Sequence, residues 1–225
     1  MIELVVFDMA GTTLYDGNAV SDCFRAALSA VGVHPDQNAV NRVMGFPKPE
    51  AIRTLVTAAQ RSCTERELDA VHADFVRRMS DYYATNPAVR EIPGASAVFA
   101  TLRGRGIKVA LNTGFNRAIV DVILGRLGWT KVVDATVASD EVARGRPYPY
   151  MIFRLMNQLE VLDSRHVAKV GDTPVDLEEG HNAGCSLVIG VTTGSFTREE
   201  LLVHRHTHLV DSVSGVAEIV LKTHA

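Results

Sequence analysis

The segment that decides the fold is Glu3-Leu4-Val5-Val6-Phe7-Asp8-Met9-Ala10-Gly11-Thr12-Thr13, an apolar run that stops at a carboxylate and enters a turn of glycine and threonine. Such a run is typical of a buried β-strand. A strand-end aspartate among the backbone N–H groups of a glycine-rich turn is suited to attack a phosphoryl group. Two residues further on, where a second carboxylate could protonate a leaving alcohol, the chain has Ala10. Either the leaving group needs no proton from that position, or another residue supplies it.

The composition sets the broad class of protein. The chain has 225 residues, 47% of them hydrophobic, which allows one large domain or two modest ones. No stretch reaches the roughly 18 apolar residues of a membrane span, and no basic segment precedes a long apolar one, so we expect a cytoplasmic protein without a membrane partner. The net charge of -3 offers no basic field for nucleic acid, so the expected partner is a small molecule. Cys23, Cys63 and Cys185 form no CxxC pair, which fits a reducing compartment.

Short apolar runs alternate with longer helical patterns, which is typical of a parallel sheet with helices on both faces. The predicted strands are Leu4–Phe7, Val109–Leu111, Val132–Val137, Val167–Val170 and Leu187–Val191. The region between the first two strands instead shows four helical patterns, at Ala19–Val31, Asp36–Met44, Pro49–Ala59 and Thr64–Ala84.

The pattern therefore predicts a doubly wound, Rossmann-like α/β core made of residues 1–14 and 86–225, with a helical cap, residues 15–85, inserted after the first strand. The tail from about Thr197 carries His204, His206 and His208 and is expected to be solvated and weakly structured.

Residues that follow the strands are the ones to examine, because ligands of open α/β sheets bind beyond the carboxyl ends of the strands. The second core strand ends in Leu111-Asn112-Thr113-Gly114-Phe115-Asn116, whose hydroxyl and amides can donate to phosphoryl oxygens. Gly145-Arg146-Pro147-Tyr148 supplies a cation before a helix. Gly171-Asp172-Thr173-Pro174-Val175-Asp176 places two carboxylates four residues apart, an arrangement that favours a magnesium ion.

Together these segments resemble the four motifs of the haloacid dehalogenase-like hydrolases, and the resemblance covers nearly the whole chain, including the helical insertion. The stretches DMAGTT, GRPYPYM and GDTPVDLEEG are more similar to the phosphonatase (phosphonoacetaldehyde hydrolase) family than to general phosphatases. Most phosphatase members have an aspartate where this chain has Ala10, and their cation is commonly a lysine where this chain has Arg146.

The resemblance implies an enzyme in which Asp8 attacks phosphorus and forms an aspartyl-phosphate. It implies a Mg2+ cofactor held by the Asp8 carboxylate, the Ala10 carbonyl and Asp172, with Asp176 supporting the metal or the arginine. The residues implied to contact substrate are Thr113 and Arg146 at the phosphoryl oxygens, and Gly11, Thr12, Met44, Gly45, Gly114 and Tyr148 around them.

The loop Met44-Gly45-Phe46-Pro47-Lys48-Pro49 resembles the phosphonatase cap loop, in which a lysine forms a Schiff base with the substrate aldehyde. Since a protonated imine withdraws electrons, breaking the carbon–phosphorus bond would yield an enamine, and no acid at position 10 would be needed. Lys48 precedes a proline and is expected to cap the next helix, whose dipole would favour the neutral amine. Where the family has a histidine and a cysteine, this chain has Ala51 and Asn18.

The leading prediction is a magnesium-dependent hydrolase that cleaves the carbon–phosphorus bond of phosphonoacetaldehyde or a close aldehyde. The alternative is a phosphonatase-like phosphatase that acts on another small phosphate ester or phosphonate, with Lys48 as a plain cation. A haloalkanoate dehalogenase would not need magnesium, and a phospho-accepting signalling module would not need a cap. The apolar spacing in Ala19–Val31 is compatible with a homodimer or with a buried cap face, and Leu14–Gly17 and Thr85–Pro87 are candidate hinges.

Overall fold

The architecture is that of a six-stranded parallel sheet, as seen in a computed structural model that describes residues 1–223. The strand order is β3-β2-β1-β4-β5-β6. The strands are β1 (Leu4–Phe7), β2 (Lys108–Thr113), β3 (Ala135–Ala138), β4 (Val167–Gly171), β5 (Leu187–Val191) and β6 (His208–Val210). The prediction of a doubly wound, Rossmann-like α/β core is confirmed.

Ten α-helices accompany the sheet within residues 1–223. They are α1 (Ala19–Ser29), α2 (Gln37–Asn41), α3 (Lys48–Ala58), α4 (Glu65–Thr85), α5 (Ala95–Arg103), α6 (Arg117–Leu127), α7 (Tyr150–Gln158), α8 (Pro174–Ala183), α9 (Arg198–Leu202) and α10 (Val216–Lys222). None of these helices combines the length and the hydrophobicity that a membrane crossing requires.

Alternation along β1 sends side chains to two separate cores, because successive residues of a strand point to opposite faces. Val5 and Phe7 join the core that contains residues of α5, α6 and α10. Leu4 and Val6 join the core that contains residues of α7 and α8. All four side chains are fully buried, so β1 is covered by helices on both faces and its carboxyl end is fixed in the middle of the sheet.

Helices α1 to α4, which we call the helical insertion (Ala19–Thr85), lie between β1 and α5 in the chain. The longest of them, α4, begins with a capping box in which the Glu67 N–H donates to Thr64 and the Glu67 carboxylate accepts from the Thr64 N–H. Within the insertion, the rings of Phe24 and Phe75 stack with centroids 4.5 Å apart. Tyr83 of α4 packs edge-on against Phe115, which follows β2, and so joins the insertion to the sheet.

Two predictions about secondary structure were wrong. The strand predicted at Val132–Val137 begins only at Ala135, because the N–H groups of Val132 and Val133 bond back to the Trp129 carbonyl. The tail is not weakly structured, since His208–Val210 forms the edge strand β6 on β5 and α10 buries Val216 and Val220. Strand β6 has only three residues, of which His208 is exposed and Leu209 and Val210 are half-buried, so no apolar run long enough to predict a strand is present there.

The prediction that Lys48 caps the following helix was also wrong, by one residue. Pro47 is the cap, and its carbonyl accepts from the Ala51 N–H at 3.0 Å. Lys48 is therefore the first residue of α3, and Pro49 takes an early helical position at which a missing N–H costs nothing.

Candidate active site

Asp8 and Asp172 emerge side by side at the carboxyl edge of the sheet. Phe7 pairs with Val170 across β1 and β4, and the Asp8 N–H donates to the Val170 carbonyl at 2.9 Å. Strands β2 and β3 lie to one side of β1, whereas β4 to β6 lie to the other. The two aspartates thus flank the point at which the strand order reverses, where ligands of this class of sheet bind.

Arg146 is a fully buried cation that ties Asp8 to Asp176. Its Nη2 donates to Asp8 Oδ1 at 2.6 Å and to the Asn112 carbonyl at 3.0 Å, and its Nη1 donates to Asp176 Oδ1 at 2.5 Å. Burial opposes its charge, but the charges of Asp176 and Asp8 raise the pKa of the guanidinium. Arg146 therefore stays charged and fixes the orientation of the Asp8 carboxyl group.

Beneath Arg146 lies a second buried cation, Lys169 of β4. Its Nζ donates to Asn112 Oδ1 at 2.7 Å and pairs with Asp176 Oδ1 at 3.0 Å and Glu179 Oε2 at 3.3 Å. The charges of Arg146 and Lys169 hold the pKa of Asp176 below its usual value despite its burial. This network of buried charged side chains supports the strand ends rigidly.

Three carboxylates, those of Asp8, Asp172 and Asp176, each place an oxygen within 4.8 Å of the others, which is a fit for a divalent cation. Asp172 accepts from Thr12 Oγ1 at 2.9 Å and from the Ser195 N–H at 3.1 Å. Burial, with the charge of Asp8 added to it, raises the pKa of Asp172 well above its usual value. Two ionised carboxylates so placed need a cation between them, and oxygen donors suit Mg2+.

Asp176 is engaged differently from the other two carboxylates. Its Oδ1 accepts from Arg146 and pairs with Lys169, while its Oδ2 accepts from the hydroxyl and the N–H of Thr173. Since protein donors already reach both oxygens, the geometry suits Asp176 for supporting Arg146 and the Thr173 turn better than for direct metal binding.

Gly11 leaves the space that the Asp172 carboxylate fills. Its φ is +93°, and an added Cβ would lie 2.6 Å from Asp172 Oδ2. Thr193, in the turn after β5, donates from Oγ1 to the Gly11 carbonyl at 2.6 Å and secures this approach. A side chain at position 11 would therefore displace the carboxylate.

A cavity of about 440 Å³ lies between this sheet edge and the helical insertion. From the core it is lined by Asp8, Ala10, Gly11, Thr113, Gly114, Phe115, Asp172, Thr173, Thr193, Gly194 and Ser195. From the segment that follows β1 and from the insertion it is lined by Tyr15, Asp16, Gly17, Asn18, Val20, Gln37, Asn41, Met44, Gly45 and Lys48. The volume suits a small molecule.

Lys48 lines this cavity with an amine that has no charged partner close to it. Its side chain is buried, and its Nζ lies 5.3 Å from the ring centroid of Phe24 and 5.1 Å from that of Phe115. No hydrogen bond or ion pair to Nζ occurs within residues 1–223. Burial, followed by the positive charge of Arg146, lowers the pKa of Lys48 to about 8. A fraction of the amine is therefore neutral and nucleophilic near neutral pH.

The structure brings most of the predicted site residues to one cavity. Those that line it are Asp8, Ala10, Gly11, Met44, Gly45, Lys48, Thr113, Gly114 and Asp172. Thr12 and Asp176 lie behind its wall, where Thr12 holds Asp172 and Asp176 holds Arg146.

Two residues predicted to contact substrate are not among those that line the cavity. Arg146 is turned toward the buried carboxylates of Asp8 and Asp176, which attract its guanidinium, and does not line the cavity. Tyr148 lies outside the cavity, with its ring stacked on Tyr150 and the Arg144 guanidinium 4.0 Å above it.

Sequence reasoning missed three parts of the site. The turn Thr193-Gly194-Ser195 follows β5 as the other site segments follow their strands, so the rule of strand ends could have found it. Lys169 and Glu179 stand within apolar or helical patterns, where nothing signals a buried ion pair. Asp16, which lines the cavity from the segment after β1, had no motif to mark it.

Comparisons with known proteins agree with this geometry. A family model for the haloacid dehalogenase-like hydrolases matches residues 2–184. A phosphonoacetaldehyde hydrolase from Bacillus cereus (strain G9842) is 32% identical over 219 residues, covering 89% of this chain and 81% of the relative. The crystal structure of a phosphonoacetaldehyde hydrolase-like protein from Oleispira antarctica matches with a TM-score of 0.82 at 23% identity, over 98% of this chain and 92% of that one. A hydrolase from Pseudomonas syringae matches with a TM-score of 0.87 at 16% identity, over 98% of both chains.

The two structural matches show a shared fold. The family model and the Bacillus relative also show the family. The chain belongs to the haloacid dehalogenase-like hydrolases and, within them, to the phosphonatase-like family. The family predicted from the motifs around Asp8, Thr113, Arg146 and Asp172 is confirmed, and the chain is a hydrolase.

Proposed function

We propose that this enzyme cleaves the carbon–phosphorus bond of phosphonoacetaldehyde, or of a close aldehyde phosphonate, through an imine on Lys48 and an aspartyl-phosphate on Asp8. The observation that carries the proposal is the position of the Lys48 amine, which is buried, unpaired among residues 1–223 and part of the same cavity wall as Asp8 and Asp172. The Bacillus relative named phosphonoacetaldehyde hydrolase supports it.

In the proposed reaction, the neutral Lys48 amine adds to the aldehyde carbon, the aldehyde oxygen takes a further proton from an acid in the site and leaves as water, and a protonated imine remains. An Asp8 carboxylate oxygen then attacks phosphorus, and the electrons of the carbon–phosphorus bond move into a carbon–carbon double bond, so that an enamine forms on Lys48. Protonation of the enamine carbon and addition of water release acetaldehyde. A second water hydrolyses the Asp8 phosphate and releases phosphate.

The surroundings of Asp8 suit a phosphoryl group. Thr113 and the turn that begins at Gly114 line the cavity beside it and would donate to the phosphoryl oxygens. Arg146 holds one oxygen of Asp8 in place from behind. A Mg2+ ion held by Asp8, the Ala10 carbonyl and Asp172, with Asp176 supporting, would supply positive charge against the transferring group.

The helical insertion would act as a cap that excludes water from the imine, with hinges at residues 14–17 and 85–87. The loop that carries Lys48 supports this role because it meets the core closely. An added Cβ on Gly45 would collide with Val175 and Thr173, and one on Gly114 would collide with the carbonyl of Phe46. The domain boundaries and a homodimer through the cap stay predictions.

The experiment is phosphate release from phosphonoacetaldehyde with magnesium, comparing wild type with Lys48→Arg and Lys131→Arg. Lys48→Arg keeps the positive charge but cannot form the imine, so we expect release to fall by at least about 10³-fold. The exposed Lys131 is the matched control and should leave release unchanged. Full activity of Lys48→Arg, together with turnover of simple phosphate esters, would replace the proposal by a phosphatase in which residue 48 is only a cation.

A further inference from the structure

We propose that Asp16 is the catalytic acid and base of the imine steps on Lys48, an inference that rests on the proposed function. The reaction needs a proton donor near the aldehyde oxygen, and the positions expected to help carry no such group, since they are Ala10, Ala51 and Asn18. Within residues 1–223, the acidic side chains that line the cavity are those of Asp8, Asp16 and Asp172. Asp8 and Asp172 are committed to phosphorus and the metal, which leaves Asp16.

The local structure holds the Asp16 carboxyl group at the N-terminus of α1. The Val20 N–H donates to Asp16 Oδ1 at 3.3 Å, and the Ala19 N–H donates to the Asp16 carbonyl at 2.9 Å. The side chain is half-buried and lines the same cavity as Lys48. In the described part of the chain, no hydrogen bond or ion pair joins the two groups, so neither one occupies the other and both face the ligand space of the cavity.

The electrostatic surroundings keep Asp16 able to hold a proton near neutral pH. Burial raises the pKa of Asp16 to about 6, and the charge of Asp22 on α1 adds to the effect. The N–H groups of Val20 and Asn18 and the charge of Lys48 act in the opposite direction. Burial, together with the charge of Asp16, raises the pKa values of Cys23, Tyr82 and Tyr83, so these three groups are neutral neighbours of Asp16.

The proposed step forms the C=N bond of the imine and releases one water molecule. The Lys48 nitrogen bonds to the aldehyde carbon, and its proton passes to the aldehyde oxygen, which gives a carbinolamine. The Asp16 carboxyl group donates its proton to that hydroxyl, the carbon–oxygen bond breaks and water leaves. The nitrogen lone pair forms the C=N bond, which leaves a cationic imine on Lys48 and a carboxylate at Asp16. When water later adds to the imine, the carboxylate takes the proton back.

This role predicts an unusual pH profile for imine formation, because the reactive form needs a protonated Asp16 and a neutral Lys48. With pKa values of about 6 for Asp16 and about 8 for Lys48, the rate in wild type should rise up to about pH 6, stay flat to about pH 8 and then fall. Without the acid, the rate depends only on the fraction of Lys48 amine that is neutral. The slower rate should therefore increase with pH and level off above about pH 8, or slightly below it.

The test is the initial rate at which borohydride traps a phosphonoacetaldehyde adduct on Lys48, measured with phosphate release from pH 5 to pH 10. Asp16→Asn keeps an oxygen for the Val20 N–H, and we expect it to slow both rates by about 10²- to 10⁴-fold and to lose the fall above pH 8. Asp16→Glu should recover part of the rate and the wild-type profile. Asp69→Asn, which removes an exposed carboxylate on α4, is the matched control and should behave as wild type.

The outcomes separate the two proposals. If wild type forms the adduct and Asp16→Asn keeps both its rate and its flat region, the role of Asp16 is overturned while the proposed function stands. If wild type forms no adduct and releases no phosphate, both are overturned. Thermal unfolding of each variant identifies a loss of folding. In that case the pH profiles of wild type and Asp16→Glu decide, since with a purely structural Asp16 the rate would rise through about pH 8 and would not fall above it.

Discussion

The Arg146 guanidinium lies 2.6 Å from Oδ1 of Asp8, behind the floor of the cavity and out of reach of solvent. The same side chain contacts Asp176 at 2.5 Å and approaches Glu179 at 3.7 Å. One buried cation thus orients the nucleophile and neutralises the acidic groups around it. Removing a partner from such a network leaves buried charges uncompensated, which is far more costly than losing a surface ion pair.

Arg146→Ala should lower the free energy of unfolding by about 3–5 kcal/mol, because Asp8, Asp176 and Glu179 lose their shared partner. Arg146→Lys should lose less, since it keeps the charge but not the two-pronged contact. Urea unfolding measures both variants. Arg144→Ala, which removes an exposed guanidinium above Tyr148, is the control and should cost less than about 1 kcal/mol. A cost for Arg146→Ala as small as that of the control would contradict the network.

Lys48→Met should make the protein more stable than wild type below pH 8. Burial lowers the pKa of Lys48 to about 8 from a usual 10.5, so the folded chain resists the charged amine. Between these two pH values the unfolded chain binds a proton that the folded chain does not, and the stability of wild type rises with pH.

The advantage of Lys48→Met should be on the order of 3 kcal/mol at pH 7 and should shrink toward pH 10.5. Unfolding in urea at several pH values measures it, with the exposed Lys131→Met as the control that shows no such trend. A difference between wild type and Lys48→Met that does not change with pH would show that the amine is solvated.

Magnesium should raise the melting temperature of the protein in a concentration-dependent way, because an ion that binds only the folded state stabilises it. Asp172→Asn should abolish the shift, since Asp8 and Asp172 would no longer form a pair of carboxylates. Chelation by EDTA should stop phosphate release. The control is Asp163→Asn, whose carboxylate pairs with Arg165 on the surface and should leave the shift intact. A magnesium shift that persists in Asp172→Asn would place the ion elsewhere.

Gly45→Ala should impair phosphate release more than it impairs folding. Gly45 has a φ of +83°, and an added Cβ would press on Thr173 and Val175 of the core, which would hold the Lys48 loop away from Asp8. Gly32→Ala is a matched control, because Gly32 has a φ of +71° with nothing within 4 Å of an added Cβ. Both substitutions should cost about 1 kcal/mol of backbone strain. Equal activity of the two variants would mean that the contact between the loop and the core is not needed.

The sequence was sufficient to predict the residues whose positions depend on strand ends. Asp8, Thr113 and Asp172 each follow an apolar run, and parallel strands bring their carboxyl ends to one edge, so their convergence could be inferred. The parallel sheet followed from the alternation of apolar runs and helical patterns. The place of Lys48 in the site could be predicted only from the resemblance of its loop to a cap loop, because no local pattern fixes where an inserted helix packs.

The rest depended on tertiary contacts that a linear pattern does not encode. Arg146 turned inward because Glu179 and Asp176 are buried beside it, and a helical pattern does not reveal which of its carboxylates face the core. Strand β6 has only three residues, too few to form a recognisable apolar run, so its pairing with β5 is settled by the free edge of the sheet. Asp16 could be recognised as a candidate only from the structure, in which it lines the same cavity as Lys48 of the insertion.

The central claim is that Lys48 carries the organic part of the substrate while Asp8 takes the phosphoryl group, and the mass of the borohydride-trapped peptide tests it most directly. Wild type incubated with phosphonoacetaldehyde should carry an N-ethyl group on Lys48, because the carbon–phosphorus bond has already broken. Asp8→Asn should carry an N-phosphonoethyl group on the same residue, because the imine forms but phosphorus is not attacked. An unmodified Lys48 in both proteins, with phosphate still released by wild type, would contradict the account.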